Sequence, residues 1–358
     1  MKKYTTILCT LILAAVFMAG CKKNSTDPTP VYTVPTTYNF ANANFADATT
    51  RLGMATEVGN LTKLATSGAI DGPRIKNMLT NTNAPFATAA YNTSGIQMLD
   101  QFAPAFKTDI ISFIDSLVKV AATGATASRG VAGVGASSAS PTSKYALTGL
   151  GVNYAQVINK GFMGGFITYQ EVTIMSNIAT YDNTTVVNGS TAQEHAWDMA
   201  FGYWGVPIDF PANKTGAKFW GSYTTQVDSG YKANKILMGA FLKGRAAISA
   251  KDSKTVTEQA AIILDAFNKL NAAGALQEVQ ETRAAISDNI ARNSRMSEMY
   301  GFVYGIKYNP KRSISDTQYN ALLALFPANL YDLTLNQLNT LRDAIAAPYG
   351  FDAVKDIL

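Results

Sequence analysis

Apolar residues return every three or four positions through almost all of the chain after Phe40. Phe45, Ala48, Leu52, Ala55, Leu61 and Leu64 set the pattern. Leu99, Phe102, Phe106, Ile110, Phe113 and Leu117 repeat it within residues 96–122. That period turns one helix face toward a core. Alternating runs bounded by hairpin turns, the mark of a sheet, are missing. The pattern predicts an all-α protein, a helical bundle. Further helices are predicted over 153–178, 193–207, 228–250, 255–273, 281–307, 315–326 and 334–346. Asp71-Gly72-Pro73 starts another, with Asp71 as N-cap and Pro73 in the first turn. Thr334 caps the last helix, and Pro348 follows its end. Residues 123–144 are Gly-, Ala- and Ser-rich without an apolar period and read as a flexible loop. Their GVAGVG run lacks a preceding strand and a Lys-Ser/Thr ending, so it is no phosphate loop.

The N-terminus reads as an export signal over residues 1–20. Lys2 and Lys3 precede an apolar run from Ile7 to Phe17, too short to span a bilayer. Met18-Ala19-Gly20-Cys21 has the shape of a lipobox, with methionine where leucine is more usual. Cleavage before Cys21 and its lipidation would anchor the chain to the outer membrane. Cys9 leaves with the signal, so the mature chain has no partner for a disulfide. Residues 21–37, rich in Pro, Thr and Ser, form a tether. The region 38–358 is the helical domain, long enough for a sizeable core.

The formal charge is +5, and charged residues make up 15% of the chain. Removing Lys2 and Lys3 lowers the charge further. No basic cluster exists, so nucleic-acid binding has little support.

The stretch Gln193 to Pro207, QEHAWDMAFGYWGVP, holds the only histidine, His195, with Asp198 three residues later. On a helix His195, Asp198, Met199 and Gly202 share one side. Trp197, Ala200, Phe201 and Trp204 share the other. Such a helix is expected to be buried on both faces, with His195 looking into a cleft or core. The two polar residues can hold a divalent metal, iron or zinc, if other helices add ligands. Alternatively they form a simple core hydrogen bond. Glu171 is the first candidate for a further ligand, since Ile167, Thr168, Ile174 and Met175 surround it. Glu298 is the second, although an ion pair with Arg295 explains it equally well. Trp197, Trp204 and Trp220 are candidate ligand-binding aromatics, with core packing as the alternative.

Three glycines within Lys160-Gly-Phe-Met-Gly-Gly-Phe166 disfavour a helix by about 1 kcal/mol each against alanine. They point to close helix packing or a bound group. The same segment echoes Lys235-Ile-Leu-Met-Gly-Ala-Phe241. Asp198-Met199 with Trp204-Gly205 echoes Glu298-Met299 with Tyr304-Gly305. The offsets differ, so two related bundles would need an insertion between the matches.

The runs EHAWDMAFGYWG, NKGFMGGF, FLKGRAAI at 241–248 and RMSEMYGFVYG at 295–305 resemble a Bacteroidota lipoprotein family called domain of unknown function 4856. The resemblance runs from about Tyr38 to the C-terminal helices and implies no established activity. A more distant one is to imelysin-like proteins, in which a histidine precedes a glutamate by three residues on a helix. His195-Ala-Trp-Asp198 matches with Asp for Glu. That resemblance implies paired helical bundles and a role in iron uptake.

Two functions therefore compete. One is a lipid-anchored cell-envelope binding protein for metal or another nutrient. The other is a glycan- or peptide-binding envelope module without metal. A metallopeptidase has little support, because the chain lacks HExxH. Serine and cysteine hydrolases fare no better with one histidine and a lipidated Cys21.

Overall fold

A computed structural model describes residues 31–358. The signal, Cys21 and most of the tether lie outside that range. Within it the chain is helical, as the apolar period requires. The first half contains α1 (Ala46–Lys63), α2 (Gly72–Thr80), α3 (Ala89–Asn92), α4 (Pro104–Ala121), α5 (Tyr154–Gly161) and α6 (Tyr169–Asn177). The second contains α7 (Ala192–Trp204), α8 (Trp220–Gln226), α9 (Asp228–Tyr231), α10 (Ala233–Ser249) and α11 (Ser253–Ala284). The chain closes with α12 (Asn289–Gly305), α13 (Asp316–Leu323) and α14 (Leu335–Ala346).

The predicted boundaries hold at several caps. Asp71 accepts from the Arg74 amide at 2.9 Å, and Thr334 forms a capping box with Gln337. Elsewhere tertiary packing overrides local signals. A break was expected between residues 273 and 281, but α11 runs through Gly274 without interruption. A side chain at Gly274 would meet the Phe302 ring at 2.9 Å, so the glycine admits α12 rather than ending α11. The result is a helix of 32 residues, about 48 Å long. It is the axis of the molecule: α10, α12, α6 and α14 all pack along it. One continuous hydrophobic core joins both halves of the internal echo.

Residues 123–144 are not a featureless loop. β1 (Gly133–Ala136) pairs antiparallel with β2 (Lys144–Leu147), Gly133 opposite Leu147. The low-complexity composition serves close contact: a Cβ at Gly133 would lie 2.2 Å from the Ala125 carbonyl oxygen. A second, two-residue pair, β3 (Val186–Val187) with β4 (Ser190–Thr191), precedes α7. The helix expected from 96 starts only at Pro104, and Leu99 lies in a short 3-10 turn.

The long helix expected over 153–178 exists with a change of pitch. Between α5 and α6, Phe162–Thr168 forms a π-helical segment. The looser ladder leaves backbone acceptors for other elements. The Gly165 carbonyl accepts from the Ala103 amide at 2.8 Å. The Met163 carbonyl accepts from the Trp220 indole at 2.9 Å. Gly164 faces Gly305 of α12, where an added Cβ would stand 2.7 Å from the Gly305 Cα. Close packing is thus the reason for this glycine. Gly164→Ala should lower stability by about 1–3 kcal/mol through forced separation, despite alanine's better helix propensity. Gly239→Ala in α10, with nothing within 4 Å of its Cβ, should instead stabilise by up to about 1 kcal/mol. Denaturant unfolding of both variants reads the opposite signs.

Candidate functional site

Helix α7 is well capped: Thr191 and Glu194 form a capping box, and Gly205 ends the helix in the left-handed region. Its two candidate ligands part company. His195 is exposed and borders a surface depression with Asn44, Asp47, Asp182 and Ser190. Asp198 is fully buried. Three residues separate them, which is about 60° around the helix axis. On a helix half-sunk in the core that angle spans the boundary between solvent and interior. The expectation that His195 looks into a core and pairs with Asp198 is therefore corrected.

Arg245 of α10 partners Asp198 instead. Its Nε donates to Asp198 Oδ1 at 2.8 Å, and the Tyr38 hydroxyl donates to the same oxygen at 2.7 Å. The Asn44 amide donates to Oδ2 at 3.0 Å. The guanidinium also reaches Glu194 Oε1 at 2.9 Å, Ser249 Oγ at 2.7 Å and Asn42 Oδ1 at 2.7 Å. Both Arg245 and Asp198 are wholly enclosed. Burial raises the Asp198 carboxyl, while Arg245, Tyr38 and the Asn44 amide pull it back. Every oxygen of Asp198 is occupied, so a metal ion would have to displace this network.

Glu171 lies on α6, fully buried. Neither of its oxygens has a hydrogen-bond partner among the described residues. Burial alone pushes its carboxyl well above the usual range. Among the described residues no three His, Cys, Asp or Glu side chains gather as a metal-ligand set. The four residues proposed as ligands, His195, Asp198, Glu171 and Glu298, are thus dispersed and differently engaged. The three tryptophans are core, all at 0% exposure. Trp197 donates to the Phe241 carbonyl at 3.0 Å, and Trp204 stacks on Phe241 at 5.6 Å. Trp220 begins α8 rather than standing on a loop, and it bonds the π-helical segment. They form no exposed lip.

A second buried polar network surrounds Glu298. Lys160 of α5 approaches Glu298 Oε2 of α12 at 2.9 Å, with both side chains almost buried. Lys160 also donates to the Tyr223 hydroxyl and stands 4.4 Å from that ring's centre. The same hydroxyl lies 3.1 Å from Glu298 Oε2 and 3.2 Å from Glu278 Oε1. One phenolic proton cannot serve both carboxyls. Burial and the adjacent Glu298 push the Glu278 carboxyl well above the usual range. Burial opposes ionisation of Glu298 too, but Lys160 and Arg295 hold it below the usual range. Arg295 donates to Glu298 Oε1 at 3.2 Å and approaches Glu281 at 3.6 Å. The pairing of Arg295 with Glu298 expected from their spacing is thus present, within a larger network.

Lys160, Arg295 and Glu298 of this network form the floor of a cleft of about 500 Å³. Its walls are α1, the start of α5, β2 and α12, through Lys63, Lys144, Tyr145, Gln156 and Asn159. A second lobe of about 270 Å³ shares Gly59, Lys63 and Asn159 with the first and continues to Lys218 and Phe219. Perturbed titratable groups gathered at the base of a cleft are a common property of functional sites. The internal echo corresponds only in its carboxylates, since Lys235, its counterpart of Lys160, is exposed. Its matched carboxylates, Asp198 and Glu298, are both buried, and each takes a cation from another helix and a tyrosine hydroxyl. One centre is sealed. The other opens to solvent.

The family model for a domain of unknown function, DUF4856, matches residues 35–352. The chain belongs to the DUF4856 family. The DUF4856 unit contains both centres entire, including Tyr38, Asn42 and Asn44 at its N-terminal edge. No curated protein and no solved structure matches the chain.

Sequence reasoning missed Arg245, Tyr38, Tyr223 and Glu278, and it noted Lys160 only as the first residue of a glycine run. A signal existed for three of them. Lys160, Arg245 and Glu278 each interrupt an apolar helix face, and a charge there needs a partner. Arg245→Met should destabilise by about 3–5 kcal/mol, since Asp198 and Glu194 lose their buried cation. His195→Ala, at an exposed position, should change stability by no more than about 0.5 kcal/mol. Chemical unfolding of the pair checks both values. Glu171 provides a pH test. Its folded-state pKa is raised above the ordinary 4.5, so the folded state binds the extra proton. Stability should fall as pH rises above that value. Melting curves of Glu171→Gln should lose that part of the slope.

Proposed function

We propose that this DUF4856 protein is a lipid-anchored binding protein of the cell envelope. Its ligand is a polar saccharide or peptide held without a metal in the cleft above Lys160 and Glu298. The lipobox at Cys21 and the tether support the location, and among the described residues no helix is long and apolar enough to cross a membrane. The observation that carries the reading is the cleft floor. A buried cluster of one cation and two carboxyl groups contributes little to stability beside well-packed apolar residues. Its position beneath an open cavity gives it a use. The walls offer unengaged groups: among the described residues the side chains of Tyr145, Gln156 and Asn159 make no hydrogen bond within the protein. Such groups fix the orientation of hydroxyl- or amide-rich ligands. Metal capture, the competing reading, would require the dispersed residues His195, Asp198, Glu171 and Glu298 to converge.

Screening the purified protein against saccharide and peptide panels by calorimetry tests this. Gly59 lies where the two lobes meet, and a Cβ there is 3.7 Å from its nearest neighbour, the Asn159 amide. Gly59→Phe therefore projects a ring into the cleft. It should abolish binding of any hit while far-ultraviolet circular dichroism stays helical. Binding that survives this change would place the ligand elsewhere and overturn the proposal.

A further inference from the structure

We infer that the ligand is a short acidic oligosaccharide, its carboxylate or sulfate held by Lys63 and Lys144. This rests on the cleft being the binding site. The cleft lining carries four cations, Lys63, Lys144, Lys160 and Arg295, against one carboxylate, Glu298. The floor cancels that carboxylate: Lys160 stands 2.9 Å from one oxygen and Arg295 donates to the other at 3.2 Å. Glu278 lies behind Tyr223, outside the cleft lining. The field in the cavity is then set by what remains. Among the described residues Lys63 and Lys144 have no ion-pair partner, and both are exposed at the rim. Arg295, about a third exposed, faces the same space but is shared between Glu298 and Glu281. In the adjoining lobe Lys218 adds another cation without an ion-pair partner among the described residues. Low-dielectric walls around charges of one sign focus their potential and favour an anion.

The rest of the lining narrows the ligand. A bare inorganic anion would fill little of about 500 Å³. The amides of Gln156 and Asn159 and the Tyr145 phenol can donate to and accept from ring hydroxyls. Tyr145 and, in the second lobe, Phe219 and Tyr223 offer aromatic surface for a sugar ring's C–H face. Cations at the rim with hydroxyl-binding groups and aromatic faces between them fit an anionic sugar.

Calorimetry on the purified full chain tests this with four probes. They are an oligogalacturonide trimer, a sulfated trisaccharide, a neutral trisaccharide of equal length, and inorganic sulfate. One or both acidic saccharides should bind at least about tenfold more tightly than the neutral one, with affinity falling as salt rises. Which of the two binds identifies the anionic group. The double variant K63E/K144E should weaken that binding by about tenfold or more, while Lys254→Glu, 86% exposed on α11 and remote from the cleft lining, should retain it. Both changed lysines are exposed, so melting temperature should hold and a folding defect is separable. Equal affinity for the neutral sugar, or K63E/K144E binding unchanged, would overturn the acidic ligand and leave the cleft reading intact. Inorganic sulfate binding as tightly as the sulfated sugar would overturn the saccharide. Failure of both acidic sugars to bind would overturn the inference outright. Acidic-sugar binding that Gly59→Phe does not disturb would sink the cleft reading itself.

Discussion

The enclosed guanidinium of Arg245 holds the architecture together. It has no contact with solvent, so each of its donors needs an acceptor from the protein. Glu194 and Asp198 come from α7, Ser249 from its own helix, and Asn42 from the segment before α1. Tyr38 closes the same network by donating to Asp198, while its ring stacks on Phe201 at 3.7 Å. Three parts of the chain distant in sequence are thereby fixed to one charge. The N-terminal segment acts as a strap: without it the inner end of α7 would expose a carboxylate and an aromatic face together.

The Lys160 centre uses the same ingredients with the opposite outcome. A planar guanidinium can satisfy several acceptors in fixed directions, which suits a sealed core. An ammonium is a single point charge on a flexible stem. Lys160 lies under a cleft, shares Glu298 with Arg295, and rests against Tyr223. Its stem fits because Gly301 leaves room for it: a Cβ on Gly301 would stand 2.7 Å from the Lys160 Cβ. The contact of Gly164 with Gly305 draws α5 and α12 together one turn further along. Glycines in this region thus set the helix separation at which the ammonium reaches its carboxylate.

The helical class, the positions of several caps and the burial of the aromatic face of α7 were legible in the sequence. They depend on local spacing and on side chains acting within one or two turns. Even the glycine run at 161–165 declared its purpose, because three glycines in a helix need a close neighbour to justify them. The hairpin of β1 and β2 was not legible. Its residues have no strand pattern, and its stability comes from packing against Ala125 and α12 rather than from its own alternation.

The candidate site divides the same way. Sequence alone determined that Asp198 and Glu298 needed partners, since a carboxylate on a buried helix face cannot stay alone. It could not choose the partners, because nearness along a helix is not nearness in space. His195 is three residues from Asp198 and faces water. Arg245 is 47 residues away and touches it. Only the tertiary structure decided which charges were enclosed, by the angle at which each helix entered the core. The same angles left one of two similar ion-paired centres beneath an open cleft.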